Sequence, residues 1–117
     1  MFERYTGEAR DLIVHAQLDA RHLGHSMLGP AHLLLGALRT DGPVAAVLSA
    51  AGVDHARAVD TLRQFAGAEV PPPEGHVPFG DAGKAALTAA MALADERGDP
   101  HIGAEHIVLA VTATDGD

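Results

Sequence analysis

Between Thr6 and Leu23 the apolar residues Ala9, Leu12, Ile13, Ala16, Ala20 and Leu23 recur at spacings of three and four, so one stripe of an α-helix faces a core. Thr6 supplies an N-cap hydroxyl and Gly24 a stop. Gly29-Pro30 opens a second helix with proline at its first position, where a missing N–H costs nothing. Leu33, Leu34, Leu35 and Leu38 follow before "TDG" at 40–42 ends it. Pro43 begins a third helix, with Val44, Val47, Leu48 and Ala51 expected inward and Gly52 as its breaker. Asp54 can cap a fourth, carrying Val59, Leu62 and Phe65. Residues 67–78, "GAEVPPPEGHVP", are too rich in proline and glycine for a helix or a central strand and read as a linker. Beyond it the spacing predicts a helix from about Asp81 to Arg97 with Leu87, Ala90, Met91 and Ala94 inward, and "GAEHIVLAVTA" forms one more.

Residues 5–42 lie over residues 79–116 at a constant offset of 74 without a gap. Tyr5 falls on Phe79, Arg10 on Lys84, Gly24 on Gly98, Gly29 on Gly103, His32 on His106 and Leu35 on Leu109, and "TDG" at 40–42 falls on "TDG" at 114–116. Such a register marks an internal duplication. The organisation expected is one domain, 1–117, made of repeat one (1–66), a linker (67–78) and a partial repeat two (79–117). The second repeat stops where the counterparts of the helices at 43–66 would begin. Leu87, Met91, Ile107, Val108 and Val111 are therefore expected to lack cover, at roughly 25 cal/mol per Å² of apolar surface left in water. A dimer or an exchange of helices follows if 117 residues are the whole natural chain, and a monomer if they are a fragment.

Composition sharpens the fold class. Much of the 47% apolar fraction is alanine, with three Phe, one Tyr and no Trp, which favours close-packed helices over a β-sandwich, so the expectation is all-α. A net charge of -8 with a single lysine, Lys84, excludes the concentrated basic face that a nucleic-acid partner needs. The chain has no cysteine, so neither disulfides nor thiolate metal sites arise, and no window approaches the roughly 20 apolar residues of a membrane span. A soluble, cytoplasmic protein without a membrane partner or cofactor is expected.

Eight histidines raise the question of a metal. His22 and His25 have helical spacing, but Gly24 interrupts it, and no H-E-x-x-H arrangement is present. His32 and His106 hold equivalent places in the first turns of equivalent helices, and a repeated position implies a repeated structural task, such as a ring nitrogen bonding a backbone group of the preceding turn. No nucleophile or oriented carboxylate at a recognisable spacing accompanies them, so both read as scaffold and no catalytic residue is assigned.

The start "MFERYTGEAR", the turn and helix "LGPAHLLLGAL", the linker end "GHVPF" and the second "IGAEHIVLAV" together resemble the N-terminal domain of the Clp/Hsp100 unfoldases, most closely the actinobacterial ClpC type. The resemblance covers essentially the whole chain. It implies an all-α domain of two pseudo-symmetric repeats that docks protein substrates or adaptors and catalyses nothing. No G-x-x-x-x-G-K-[ST] phosphate loop is present, so an ATP engine is absent from these 117 residues. The chain would then be either an excised domain or a free-standing Clp-N protein, and the alternative function is sequestration of ClpC-directed cyclic-peptide antibiotics.

The resemblance also implies two sets of site residues. Phe2, Arg10, Phe79 and Lys84 match the surface that accepts cyclic peptides and adaptor segments; the alternative, in which Tyr5 and Phe79 staple onto their own helices and the cations stay solvated, suffices for Tyr5 but does not account for Phe2. Glu105 matches the glutamate that can grip the guanidinium of phosphoarginine, although a carboxylate in a helix's first turn is also favoured by the helix dipole alone. Its counterpart in repeat one is Ala31, where the family has glutamate, so one such site is expected rather than two.

Overall fold

The computed structural model describes residues 4–25, 27–53, 55–65 and 77–115, apart from the side chains of 61–65 and 113–115. Six helices follow one another among these residues: α1 (Gly7–Leu23), α2 (Pro30–Arg39), α3 (Pro43–Ala50), α4 (His55–Phe65), α5 (Asp81–Glu96) and α6 (Ala104–Asp115). Local chemistry sets their ends as the sequence predicts. The Thr6 hydroxyl accepts the Ala9 N–H at 3.1 Å, and Gly24 ends α1 in the left-handed region at φ 75°, where a side chain would be strained. Gly98, its counterpart after α5, adopts φ 72°.

The offset of 74 is visible in the hydrogen bonds. Tyr5 forms an isolated bridge to Ile102, and Leu28 forms one to Phe79, so each repeat's entry segment pairs with the other repeat's central turn. Thr6 N–H donates to the Ile102 carbonyl at 3.0 Å and Gly80 N–H to that of Leu28 at 2.9 Å; Ile102 N–H donates to Arg4 and Leu28 N–H to Pro78, both at 2.8 Å. Exchanging i for i + 74 turns each bond into its partner, which is a pseudo-twofold axis running between the two bridges.

The core lies where the α1–α2 and α5–α6 hairpins meet. Leu12, Leu28, Leu33, Val77 and Ile107 are fully buried, and each aliphatic side chain of this kind contributes about 1.5–3 kcal/mol. Alanines Ala9, Ala16 and Ala20 line the buried stripe of α1 and Ala86, Ala90 and Ala94 that of α5, so α2 and α6 can pack closely on their hairpin partners. At Gly36 an added Cβ would overlap the Leu12 carbonyl oxygen, so α2 touches the backbone of α1 there.

Several expectations are corrected. Val47 is 67% exposed, Ala51 is exposed, and Val44 and Leu48 are only half-buried, because among the described residues α3 packs chiefly on α2 and leaves its other side open. Met91 is exposed, while Ile107 and Val111 are buried without any helices corresponding to α3 and α4, because α2 lies across α6. Val77 belongs to the core instead of the linker: Gln17 donates to its carbonyl and accepts its N–H, both at 2.8 Å. Asp54, offered as the cap of α4, and most of the linker, 66–76, lie outside the described residues. Among the described residues no single helix is long and apolar enough to cross a membrane.

Candidate functional site

The Thr6 cap places Glu8 in the first turn of α1, and the Tyr5–Ile102 bridge sets that turn beside the segment leading into α6, whose first turn carries Glu105. Opposite them, α3 starts at Gly42-Pro43 and turns its open side toward α6. Between the two helices is a cleft of about 380 Å³, walled by Val44, Val47 and Leu48 of α3 and Val108 and Leu109 of α6. Glu8 and Glu105 are the charged residues of its lining. Glu8 Oε2 is buried and has no hydrogen-bond partner among the described residues. Its carboxylate presses on Gly42, where a Cβ would overlap it. The exposed Glu105 folds its carboxylate back over Gly103, again where only glycine leaves room. Glu105 is thereby shared with a smaller cleft of about 230 Å³ that includes Thr6, Asp99, His101 and His106.

The two equivalent histidines do one structural job. Gly29 N–H donates to His32 Nδ1 and Gly103 N–H to His106 Nδ1, both at 2.9 Å, each satisfying a donor at the start of a helix. With Nδ1 accepting, the neutral ring carries its proton on Nε2. His32 Nε2 gives it to His25 Nδ1 at 2.7 Å, and His106 Nε2 to Asp99 Oδ2 at 2.9 Å. Residues 25 and 99 are themselves one offset apart. Burial holds the His32 pKa down at about 4, with the neighbouring His25 pushing the same way and Asp19 opposing.

Sequence reading missed the cluster at Asp19, which is 5% exposed and accepts from Arg39 Nη1 at 2.8 Å and His55 Nε2 at 3.2 Å. It ties α1, α2 and α4 together beside a cleft of about 530 Å³ that also includes His22 and Asp60. The available signal was a carboxylate set on the inward stripe of Leu12, Ala16 and Leu23. Among the described residues no three His, Asp or Glu side chains are grouped to hold a metal ion.

Of the other predicted residues, Arg10, Phe79 and Lys84 line neither larger cleft. Arg10 and Lys84 are exposed at equivalent points of α1 and α5. Phe79 is half-buried, with its ring toward Gly83 and its backbone bridged to Leu28. Phe2 lies outside the described residues.

Comparison with known proteins gives a consistent answer. The family described as "Clp repeat (R) N-terminal domain" matches residues 4–117. The chain is 33% identical over 112 residues to an ATP-dependent Clp protease ATP-binding subunit ClpA homolog of Guillardia theta, and 32% identical to the chloroplastic chaperone protein ClpC1 of Arabidopsis thaliana. These matches cover 95% of this chain but only 14% and 12% of those relatives. Among solved structures, the N-terminal domain of ClpD from Arabidopsis thaliana superimposes with a TM-score of 0.78 at 25% identity, covering 95% of this chain and 77% of that one. The Hsp104 N-terminal domain of Candida albicans, at 22% identity and TM-score 0.77, covers 97% and 77% and shares the fold. These likenesses carry the family and not an actinobacterial subtype.

Proposed function

The chain belongs to the Clp repeat N-terminal domain family, and from that premise we propose that it is a docking module of a Clp unfoldase system, binding segments of protein substrates or adaptors without catalysing a reaction. The observation that carries this reading is the apolar cleft between α3 and α6, open along one side and edged by carboxylates, the form of a surface that seats an extended side chain. Arg10, Phe79 and Lys84, with Phe2, are a second docking face on the resemblance alone. Phosphoarginine recognition at Glu105 would use a carboxylate that accepts two parallel guanidinium bonds and the free N–H groups at the start of α6. Cyclic-peptide sequestration rests on Phe2 and its group and is not carried further.

The test is a titration of the isotope-labelled chain with a permanently unfolded, alkylated protein, followed by amide and methyl shifts. Saturable shifts confined to one face are expected, with no ATP turnover in the same sample. Absence of saturable shifts, or ATP hydrolysis that follows the protein through repurification, would overturn the reading.

A further inference from the structure

We propose that Asp41-Gly42, the exposed link between α2 and α3, is a modification site: it converts spontaneously to an isoaspartyl linkage, whose freed α-carboxylate accepts a methyl group from an S-adenosylmethionine-dependent carboxyl methyltransferase.

Of the chain's aspartates only Asp41 and Asp115 precede glycine, the residue whose nitrogen can reach a neighbouring carboxyl carbon with no Cβ in the way. Asp41 and Gly42 are both exposed. Among the described residues the Gly42 N–H donates to nothing, and the Asp41 carboxylate has no hydrogen bond or ion pair to hold it away. Gly42 sits at φ 155°, a conformation that a residue with a side chain rarely adopts, so the glycine is required by the turn as well as by the chemistry. The counterpart Asp115 is the last residue of α6 and Gly116 lies outside the described residues, so that pair carries no part of the proposal.

The steps balance with water alone. The Gly42 nitrogen bonds to Asp41 Cγ, and its proton leaves with the carboxyl hydroxyl as water, closing a succinimide. Water then adds to either ring carbonyl. Breaking the Cγ–N bond restores aspartate; breaking the bond between that nitrogen and the original peptide carbonyl leaves the main chain running through Cγ and frees the α-carboxylate. In the methyl transfer the sulfonium S–CH3 bond breaks as a carboxylate oxygen takes the methyl group. Renewed attack by the Gly42 nitrogen expels methanol and returns the succinimide, so part of the chain reverts to aspartate.

The isoaspartyl form has a structural consequence because the two ends of the link are held differently. Thr40 is buried, its hydroxyl donating to the Gly36 carbonyl at 2.6 Å and bonded to His15 Nδ1 at 2.9 Å. On the other side, α3 has no buried residue. The β-linkage adds one main-chain carbon, about 1.5 Å of reach. That slack moves the start of α3, where Gly42 rests against the Glu8 carboxylate, and with it the α3 wall of the cleft toward α6.

The experiment ages the folded chain at neutral pH beside the free heptapeptide Leu-Arg-Thr-Asp-Gly-Pro-Val. Isoaspartate is counted by methyl transfer from labelled S-adenosylmethionine with a purified isoaspartyl methyltransferase, and located by electron-transfer fragmentation of the digest. Isoaspartate should accumulate at position 41 at a rate similar to that in the peptide. Asp41→Glu, whose longer side chain closes the ring far more slowly, should lose this methyl acceptance with an unchanged melting temperature. Asp41→Asn should raise it, since ammonia leaves more readily than water. In the isoaspartyl fraction, resolved by ion exchange, the amides of α3 should exchange hydrogen faster while those of α5 do not change. Formation about tenfold or more slower in the folded chain than in the peptide overturns the proposal, because the fold would then protect the link. Isoaspartate confined to position 115, or methyl acceptance unchanged in Asp41→Glu, also overturns it. Equal α3 exchange in the two fractions overturns the displacement of that helix.

Discussion

At the start of α2 the His32 ring takes the Gly29 N–H and passes its own proton to His25; at the start of α6 the His106 ring takes the Gly103 N–H and passes its proton to Asp99. The first half of each device is the same to within the bond length, and the second half differs in its acceptor, an imidazole nitrogen of His25 in one and a carboxylate oxygen of Asp99 in the other. The duplication thus preserves geometry, which the helix start demands, and lets the outer partner drift, because only a lone pair is required at neutral pH.

The largest break in the parallel is expected at Gly36, where α2 meets the α1 backbone, against Ala110, its counterpart on α6. Gly36→Ala forces the first hairpin apart and should cost about 3 kcal/mol, whereas Ala110→Gly should cost about 1 kcal/mol, mostly from helix propensity and one lost methyl. Urea unfolding of both variants measures this, and equal losses would mean that the two hairpins pack alike.

Acid should separate the two turns next. A folded-state pKa of about 4 for His32, below its ordinary 6.5, means that the unfolded chain binds more protons between those values, so stability falls as pH falls through that window and is fully present above it. The contribution lost by pH 5 is about 2 kcal/mol. His25→Asp copies repeat two's arrangement into repeat one and should reduce that loss, since the imidazole neighbour that lowers the His32 pKa goes while burial, the larger cause, stays. Thermal melts from pH 8 to 4.5 provide the readout; an unchanged slope in the variant would show that His25 has no part in it.

A smaller contrast lies at Gln17 and its counterpart Met91. Gln17 clamps Val77 through two backbone bonds, so Gln17→Ala should cost about 1–2 kcal/mol. Met91 is 42% exposed, and Met91→Ala should stay within about 0.5 kcal/mol. Parity between the two would mean that the 77–79 segment is held by its bridge to Leu28 alone.

Helix number, helix ends and the duplication were legible in the sequence because each rests on neighbours within a turn or two: Thr6 and Gly24 cap α1, Pro30 opens α2, and periodic Leu and Ala mark the inward stripes. Twofold repetition also disclosed that His32 and His106 share a task, though not that their outer partners are His25 and Asp99. Of the candidate site, Glu105 was readable through its motif. Glu8 was not, since at position 8 it resembles any first-turn carboxylate. Only the pairing of Tyr5 with Ile102 brings α1 and α6 together at their starts, and only the one-sided packing of α3 leaves an apolar wall facing them. The Tyr5–Ile102 pairing joins residues 97 positions apart, and helical periodicity constrains which face of a helix is buried without stating which helix buries it. Local chemistry therefore determined the elements, and tertiary packing decided that two of their carboxylates share a cleft.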